Sequence, residues 1–343
     1  MTGSIETRSG LVPQIGSSLD RVDVWGTFKT RWGIGRMNYK VDPGLYALGN
    51  PGESSPVLVT ANFKMSFDKL RGALPGRDAW ILVLDTKGIN VWCAAGKGTF
   101  GTAELVARIT SYGLTNIVSH REVILPQLAG PGVSAHQVKK LSNFKVIYGP
   151  IRAIHLPAFL DAGLKATPDM RMKTFTTWER VELIPIELVG AIKIGLPLML
   201  IFFLVDSLWN TGDFWINALS TGVYSAMAIL GAILAGAVLT PLFLPWLPGR
   251  AFSLKGLIPG VLVTLALTVF RWNALDTRTG HLETAAWFFI ILAISTFLAM
   301  NFTGASTYTS LSGVKKEMRW AVPLQIGVGV LGLGLWLGSH IIS

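Results

Sequence analysis

The stretch Trp80-Ile81-Leu82-Val83-Leu84-Asp85-Thr86-Lys87-Gly88-Ile89-Asn90-Val91-Trp92-Cys93-Ala94-Ala95-Gly96-Lys97-Gly98-Thr99-Phe100-Gly101 passes from an apolar run through a polar turn into a glycine-rich segment. Five consecutive apolar residues bounded by turn formers read as a buried strand. Gly101 to Tyr112 then has helical spacing, with Leu105, Val106 and Ile109 on one face. Upstream, Val57-Leu58-Val59 reads as a strand and Phe63 to Leu74 as a helix. Downstream, Asn116-Ile117-Val118 and Lys145 to Tyr148 read as strands, and Ala135 to Leu141 and Leu156 to Ala162 as helices. This alternation predicts an α/β domain over 56–168 with a mostly parallel sheet. Ligands of such sheets bind beyond the carboxyl ends of the strands. Residues 1–55 are rich in Gly, Pro, Arg and aromatics, including Trp25 and Trp32, and read as an ordered but irregular lead-in. Residues 169–185 read as a linker.

The rest of the chain is of another kind. Of 343 residues, 50% are apolar and 15% charged, and the mean hydropathy is +0.48. Soluble proteins average about 25% charged residues, so disorder, collagen and an ordinary soluble enzyme are poor fits. The charges are unevenly placed: residues 1–185 carry 22 Lys/Arg and 14 Asp/Glu, whereas 186–343 carry 8 and 6. Five apolar stretches near 186–206, 215–239, 254–271, 284–302 and 321–341 match the ~20 residues needed to cross a bilayer. Trp209, Trp215, Trp246, Trp272, Trp287 and Trp320 stand near their boundaries. Basic residues precede the first span (Arg171, Lys173, Arg180) and fill the second loop (Arg250, Lys255) and the fourth (Lys315, Lys316, Arg319). That bias places the N-terminal domain in the cytoplasm and the C-terminus outside. Arg271 and Arg278 in the third loop are balanced by Asp276 and Glu283. Residues 1–24 lack the apolar core of a signal peptide. Glu187 and Lys193 lie in the first turns of span one, and His340 is at a chain end. Few ionisable groups lie deep in the spans, which favours anchoring over transport.

The glycine-rich segment admits three readings. A phosphate-binding P-loop needs a glycine five residues before Gly96 and Ser or Thr after Lys97, and neither is present. A dinucleotide fingerprint fits better: Gly96, Gly98 and Gly101 spell G-x-G-x-x-G, and Glu122 follows at about the distance of a ribose-binding acid. The third reading centres on Cys93, the one cysteine of the chain. A lone cysteine is commonly a small buried hydrophobe. Here it stands between a strand and a glycine-rich turn, at the sheet's ligand edge, where a helix N-terminus and Lys97 would favour the thiolate, a soft metal ligand. With a single cysteine these residues form no disulfide framework, Cys-rich zinc site or iron–sulfur cluster of their own.

The string Asn90-Val91-Trp92-Cys93-Ala94-Ala95-Gly96-Lys97 closely resembles the cap-helix motif of the mercury-methylating corrinoid proteins of anaerobic bacteria and archaea. That family joins a corrinoid domain to five membrane spans and is related to the large subunit of the corrinoid iron–sulfur protein of the acetyl-CoA pathway. The resemblance covers the motif, the α/β domain and the span count. It implies a Rossmann-like corrinoid-binding α/β domain followed by an all-α transmembrane domain of five helices in the cell (inner) membrane. The implied activity is that of a corrinoid-dependent methyltransferase moving a methyl group from methyl-Co(III) to inorganic Hg(II), giving methylmercury.

In that resemblance Cys93 is the lower axial cobalt ligand of a cobalamin-type corrinoid bound base-off. Asn90, Val91, Trp92, Ala94, Ala95, Gly96 and Lys97 form the cap helix, and Gly98 and Gly101 join Gly96 in allowing close approach. Thr60, Asn62, Gln127, Tyr148 and Gly149, at predicted strand ends, line the tail and ring. The widespread D-x-H-x-x-G corrinoid signature is absent, so His120, His136 and His155 are expected to be structural. The implied partners are a ferredoxin-like donor with two [4Fe–4S] clusters, a methyltransferase or methyl-folate donor, a Hg(II) thiolate substrate and membrane lipid. Nucleic acid is not among them. With no thiol in 186–343, the spans are not expected to conduct mercury. Two alternatives stay open: a corrinoid methyl carrier or redox protein with another acceptor, and a membrane-bound nicotinamide-dependent oxidoreductase.

Overall fold

Val57–Ala61 and Ala79–Leu84 are buried at every position, as strands covered on both faces must be. They sit in a seven-stranded sheet of β1 (Gly3–Thr7), β2 (Gly10–Ile15), β3 (Gly44–Leu48), β4 (Val57–Ala61), β5 (Ala79–Leu84), β6 (Glu122–Leu125) and β7 (Lys145–Tyr148). The strand order is β1-β2-β3-β5-β4-β6-β7. The computed structural model describes residues 2–209, 212–272, 277–306 and 311–342. Asp276 therefore lies outside the described residues. The chain divides into two compact units, Met1–Thr30 with Ile34–Lys173, and Arg31–Gly33 with Thr174–Ser343.

In the first unit, the neighbours β5-β4-β6-β7 run parallel. β1 pairs with β2 and β3 with β5 antiparallel, so the sheet is mixed. Period-two alternation sends Val57, Val59 and Ala61 to one core and Leu58 to the other. The first core is closed by α3 (Val91–Lys97), α4 (Thr102–Ser111), α5 (Leu114–Ile117) and α6 (Ala135–Ser142). The second is closed by α2 (Lys64–Gly72) and α7 (Leu156–Asp161).

Two expectations are corrected. Residues 1–55 are not irregular: they supply β1, β2, α1 (Arg21–Arg31) and β3. β1 has no fully buried residue, so its sequence carries no apolar alternation to read. α1 is tied to α2 by ionic contacts of Asp23 with Lys64 and Arg71, side chains 41 and 48 residues away. Asn116-Ile117-Val118 is not a strand. Leu114–Ile117 form α5, entered through Gly113 in the left-handed region (φ 55°), and Arg121 donates to the carbonyls of Thr115, Val118 and His120. The strand begins only at Glu122.

In the second unit, α8 (Thr177–Val181) lies within the expected linker and opens on a capping box between Thr176 and Glu179. It precedes α9 (Ile184–Trp209). The run Phe214–Phe243 comprises α10 (Phe214–Asn217), α11 (Val223–Leu234) and α12 (Thr240–Phe243), joined by π-turns at Ala218–Gly222 and Ala235–Leu239. Next come α13 (Phe252–Phe270), α14 (Arg278–Asn301) and α15 (Leu311–Ile342). Five of these helical segments are long and apolar enough to cross a membrane. α13 meets α14 through Gly256 and Gly260, where a Cβ would come within 2.7 Å of the Ala299 Cβ and 2.4 Å of the Ser295 hydroxyl. Small residues four apart are how apolar helices pack closely without a hydrophobic driving force.

Asp206 stands at the expected end of the first span; α9 runs past it, and its side chain is 0% exposed. Its carboxylate contacts the Ser225 hydroxyl, accepts from Trp336 Nε1 at 3.1 Å, and lies 2.8 Å from His340 Nε2. His340, read as a chain-end residue, is buried.

Candidate functional site

Adjacent strands β4 and β6 send their connections to opposite faces: β4 continues into α2 and β6 into α6, whose buried side chains belong to different cores. Such a divergence opens a crevice at the carboxyl ends of the strands. α3, reached from β5, packs against β4 and against the single turn Gln127–Ala129 that follows β6. The segment carrying Cys93 is therefore laid at this crevice.

Asn62 holds the loop that delivers it. The side chain is buried at the end of β4, and Oδ1 accepts from the backbone N–H groups of Thr86 (3.1 Å) and Gly88 (2.9 Å). The Thr86 hydroxyl lies 2.9 Å from the same oxygen and 2.7 Å from the Ile89 carbonyl. Asn62 Nδ2 donates to Asp85, whose backbone N–H donates to Glu104 at 2.8 Å. The Lys87 ammonium beside Asp85 holds its carboxyl below the usual range, against an opposing push from desolvation. Asn62 thus fastens the β5–α3 loop, with its acceptor turned inward on that loop.

The seven residues of α3 have two faces. Ala94 and Ala95 are buried, and a Cβ on Gly132 would come within 2.9 Å of the Ala95 Cα, so only small residues fit this contact. Trp92 (39% exposed), Cys93, Gly96 and Lys97 occupy the open face, as i, i+3 and i+4 neighbours must. Cys93 is a free, exposed thiol. A Cβ on Gly96 would meet nothing within 4 Å, so the chain's own packing does not demand glycine there. The missing side chain leaves an open patch one turn from the sulfur. Asn90 caps the helix, its Oδ1 accepting from the Cys93 N–H at 2.9 Å. Gly98 ends it in the left-handed conformation, φ 81°.

The other expected residues are less uniformly placed. Val91 is half-buried against the first core, and Gly101 caps α4. Thr60 is buried inside β4, paired with Val83, rather than in a loop. Gln127 accepts from Arg171. The Tyr148 hydroxyl donates to the Val133 carbonyl at 2.6 Å, and burial pushes its pKa up. Gly149 donates to the Leu125 carbonyl at 2.8 Å. His120 faces the Ser55 carbonyl and His136 is exposed. Among the described residues no three His, Cys, Asp or Glu side chains converge as a metal site.

The dinucleotide fingerprint loses its context. Its glycines join helix α3 to helix α4, whereas the fingerprint requires them between a strand and a helix. Glu122 opens β6 at the amino end and pairs with Lys145, away from the edge where a ribose would lie. Thr86 escapes sequence reading altogether: a threonine in a polar turn has no signature until β4 and β5 are known to be neighbours.

Residues 28–159 match the family model of the CO dehydrogenase/acetyl-CoA synthase delta subunit. The gamma subunit of the acetyl-CoA decarbonylase/synthase complex of Methanopyrus kandleri is 33% identical over 124 residues, 36% of this chain and 26% of the relative. That of Methanocaldococcus jannaschii is 40% identical over 91 residues, 26% of this chain and 19% of the relative. That of Archaeoglobus fulgidus is 29% identical over 149 residues, 42% and 31%. The chain thus spans about a quarter of the length of these curated relatives.

Proposed function

We propose that this chain is a membrane-anchored, corrinoid-dependent methyltransferase whose acceptor is inorganic Hg(II). The carrying observation is the open face of α3, where the exposed Cys93 sulfur stands beside the side-chain-free patch at Gly96. These residues fit a flat, metal-centred macrocycle: a soft donor for the metal and a surface without a Cβ to keep the ring away. Cys93 would ligate the cobalt, and Trp92, Gly96 and Lys97 on the same open face would help to hold the corrinoid. A bound corrinoid supplies a cobalt centre able to accept a methyl group and pass it to a soft electrophile such as a Hg(II) thiolate complex.

The chain's own contribution is positional. Asn90 fixes the backbone of Cys93, Asn62 fixes the loop before it, and the small buried face of α3 seats the helix on the crevice. With Cys93 committed, the electrons must come from a partner, for which a ferredoxin-like protein with two [4Fe–4S] clusters is suited. A methyltransferase or methyl-folate would supply the methyl group. The five apolar helices would hold the chain in the cell membrane, with the α/β unit in the cytoplasm and the C-terminus outside.

The full chain, purified anaerobically in detergent and loaded with cobalamin, tests this. The expected result is an absorption spectrum with cobalt–thiolate features that Cys93→Ala abolishes, together with methylmercury formed from Hg(II)–cysteine, a methyl donor and a low-potential reductant. Identical spectra for wild type and Cys93→Ala would sink the ligand assignment. The names of the relatives favour a second reading, a methyl carrier serving acetyl-CoA chemistry. Ligation by Cys93 without methylmercury formation would select it.

A further inference from the structure

A helix on the outside of a folded domain ordinarily buries its apolar stripe and shows its polar side to water. α1 is inverted. Its inward side is polar or small: Asp23 is held by Lys64 and Arg71, Thr30 is buried, and Gly26 lies under the Tyr39 ring. At about 100° per residue, Arg21, Val24, Trp25 and Phe28 share one arc of about 100° on the opposite side. All four are exposed, Val24 by 61%, Trp25 by 58% and Phe28 by 47%. The Trp25 and Phe28 rings stack at 5.2 Å, which joins them into one apolar surface. Ionic contacts therefore fix α1 in place, and its aromatic side is left outward. Such a contiguous exposed patch marks a face that something covers.

The chain path and the residue types name the cover. α1 ends at Arg31, and Arg31–Gly33 belong to the helical unit. There Arg31 lies 2.8 Å from Glu182, two residues before α9, and a Cβ on Gly33 would meet Ile186 Cδ1 at 3.0 Å. The end of α1 is thus seated at the foot of the first apolar helix. Phe28 precedes Arg31 by three residues, about 4.5 Å along the helix axis. Trp178, 70% exposed, stands one turn before Glu182 and marks the same level with a second outward indole. Trp and Phe with Arg at the centre of the same arc is the composition of a helix lying in a headgroup layer. The rings enter the acyl boundary and the guanidinium reaches back to phosphate.

We propose that α1 lies in the plane of the membrane surface, with its Val24, Trp25 and Phe28 side in the leaflet where the first span begins. The inference rests on the reading that the apolar helices cross a bilayer, and it adds a peripheral contact made by the α/β unit itself.

Spin labels in the full chain test it. Single cysteines are placed by Val24→Cys, Phe28→Cys, Leu141→Cys on α6 and Leu200→Cys on α9, each in a Cys93→Ser background. The labelled chains are reconstituted in vesicles of dioleoyl phosphatidylcholine with a minority of dioleoyl phosphatidylglycerol. Oxygen concentrates in lipid and a nickel chelate in water, so their relative broadening of each label reads its surroundings. The expected result is oxygen above nickel at positions 24, 28 and 200, and nickel above oxygen at position 141. Nickel above oxygen at 24 and 28, with position 200 still in lipid, would overturn the proposal and leave the membrane reading standing. Low access to both reagents at 24 and 28 would overturn it in favour of a protein cover, such as a second copy or the electron donor. Nickel above oxygen at position 200 would overturn the membrane reading and the proposal with it.

Discussion

Asn62 in the α/β unit and Asp206 in the helical unit are both buried polar side chains serving several partners, yet they solve different problems. Asn62 draws its partners from Asp85 to Gly88, within a single loop, and that loop delivers Cys93. Asp206 joins residues 19 and 130 positions away, so three helical segments meet at one carboxylate. The first network aims an exposed group; the second fixes which helices are neighbours. Polar burial is affordable in both because every major partner is present.

The largest effect is expected where the comparison is starkest. Asp206→Ala should cost the helical unit about 3–5 kcal/mol, because it strands buried partners that have no water to turn to. Denaturant unfolding of the full chain in detergent, followed by the fluorescence of its tryptophans, would measure it. A double replacement, Asp206→Leu with His340→Leu, should recover much of the loss, since well-packed apolar residues often equal a buried pair. A loss below about 1 kcal/mol in the single variant would mean that the cluster does not hold the helices.

Asn62→Ala comes next, at about 2–3 kcal/mol, because it leaves the Thr86 and Gly88 N–H groups unsatisfied in the interior. Its signature is local. Hydrogen exchange over 85–98 should accelerate while the strands stay protected, and cobalamin retention should fall with it. Uniform acceleration across the sheet would show that Asn62 supports the fold and not the loop. The same segment should respond to acid. Asp85 has a lowered pKa in the folded state, so its contribution is present above the ordinary carboxylate value of about 3.9 and is lost as pH falls through the lower folded value. Protection over 85–98, taken relative to the unfolded chain at the same pH, should be unchanged at pH 5 and fall only below about pH 4.

How much of this was legible in advance divides along the same line. β4, β5 and α4 could be read because each carries its own apolar period, and the cap motif because its residues are consecutive. β1 and β2 could not: β1 is an edge strand with no buried residue, and β2 buries only Val12 and Ile15, three positions apart, which is no strand period. Asn116 to Val118 misled because the β-branched pair Ile117-Val118 says nothing about Gly113 before it or the Arg121 hydrogen bonds after. In the site, Cys93 and Asn90 announced themselves. The part of Asn62 as a clamp needed the adjacency of β4 and β5, and the Asp206 cluster needed the packing of helices more than a hundred residues apart.

The two smallest stability effects lie on α3 and bear most on function. Asn90→Ala removes the helix cap and should cost about 1 kcal/mol. If the cap serves to hold the Cys93 backbone, cobalt–thiolate absorption should also broaden or weaken in this variant, and Asn90→Ser should restore both. Cys93→Ser should change stability by less than about 0.5 kcal/mol, because an exposed side chain on the open face of α3 leaves no cavity and strands no partner. Yet it should abolish cobalt–thiolate absorption and methyl transfer together. A residue whose loss leaves the fold intact and removes the chemistry is one the structure presents outward for a ligand. A destabilisation of 2 kcal/mol or more would place Cys93 among the packing residues with Ala94 and Ala95, and would take the open face of α3 out of the argument.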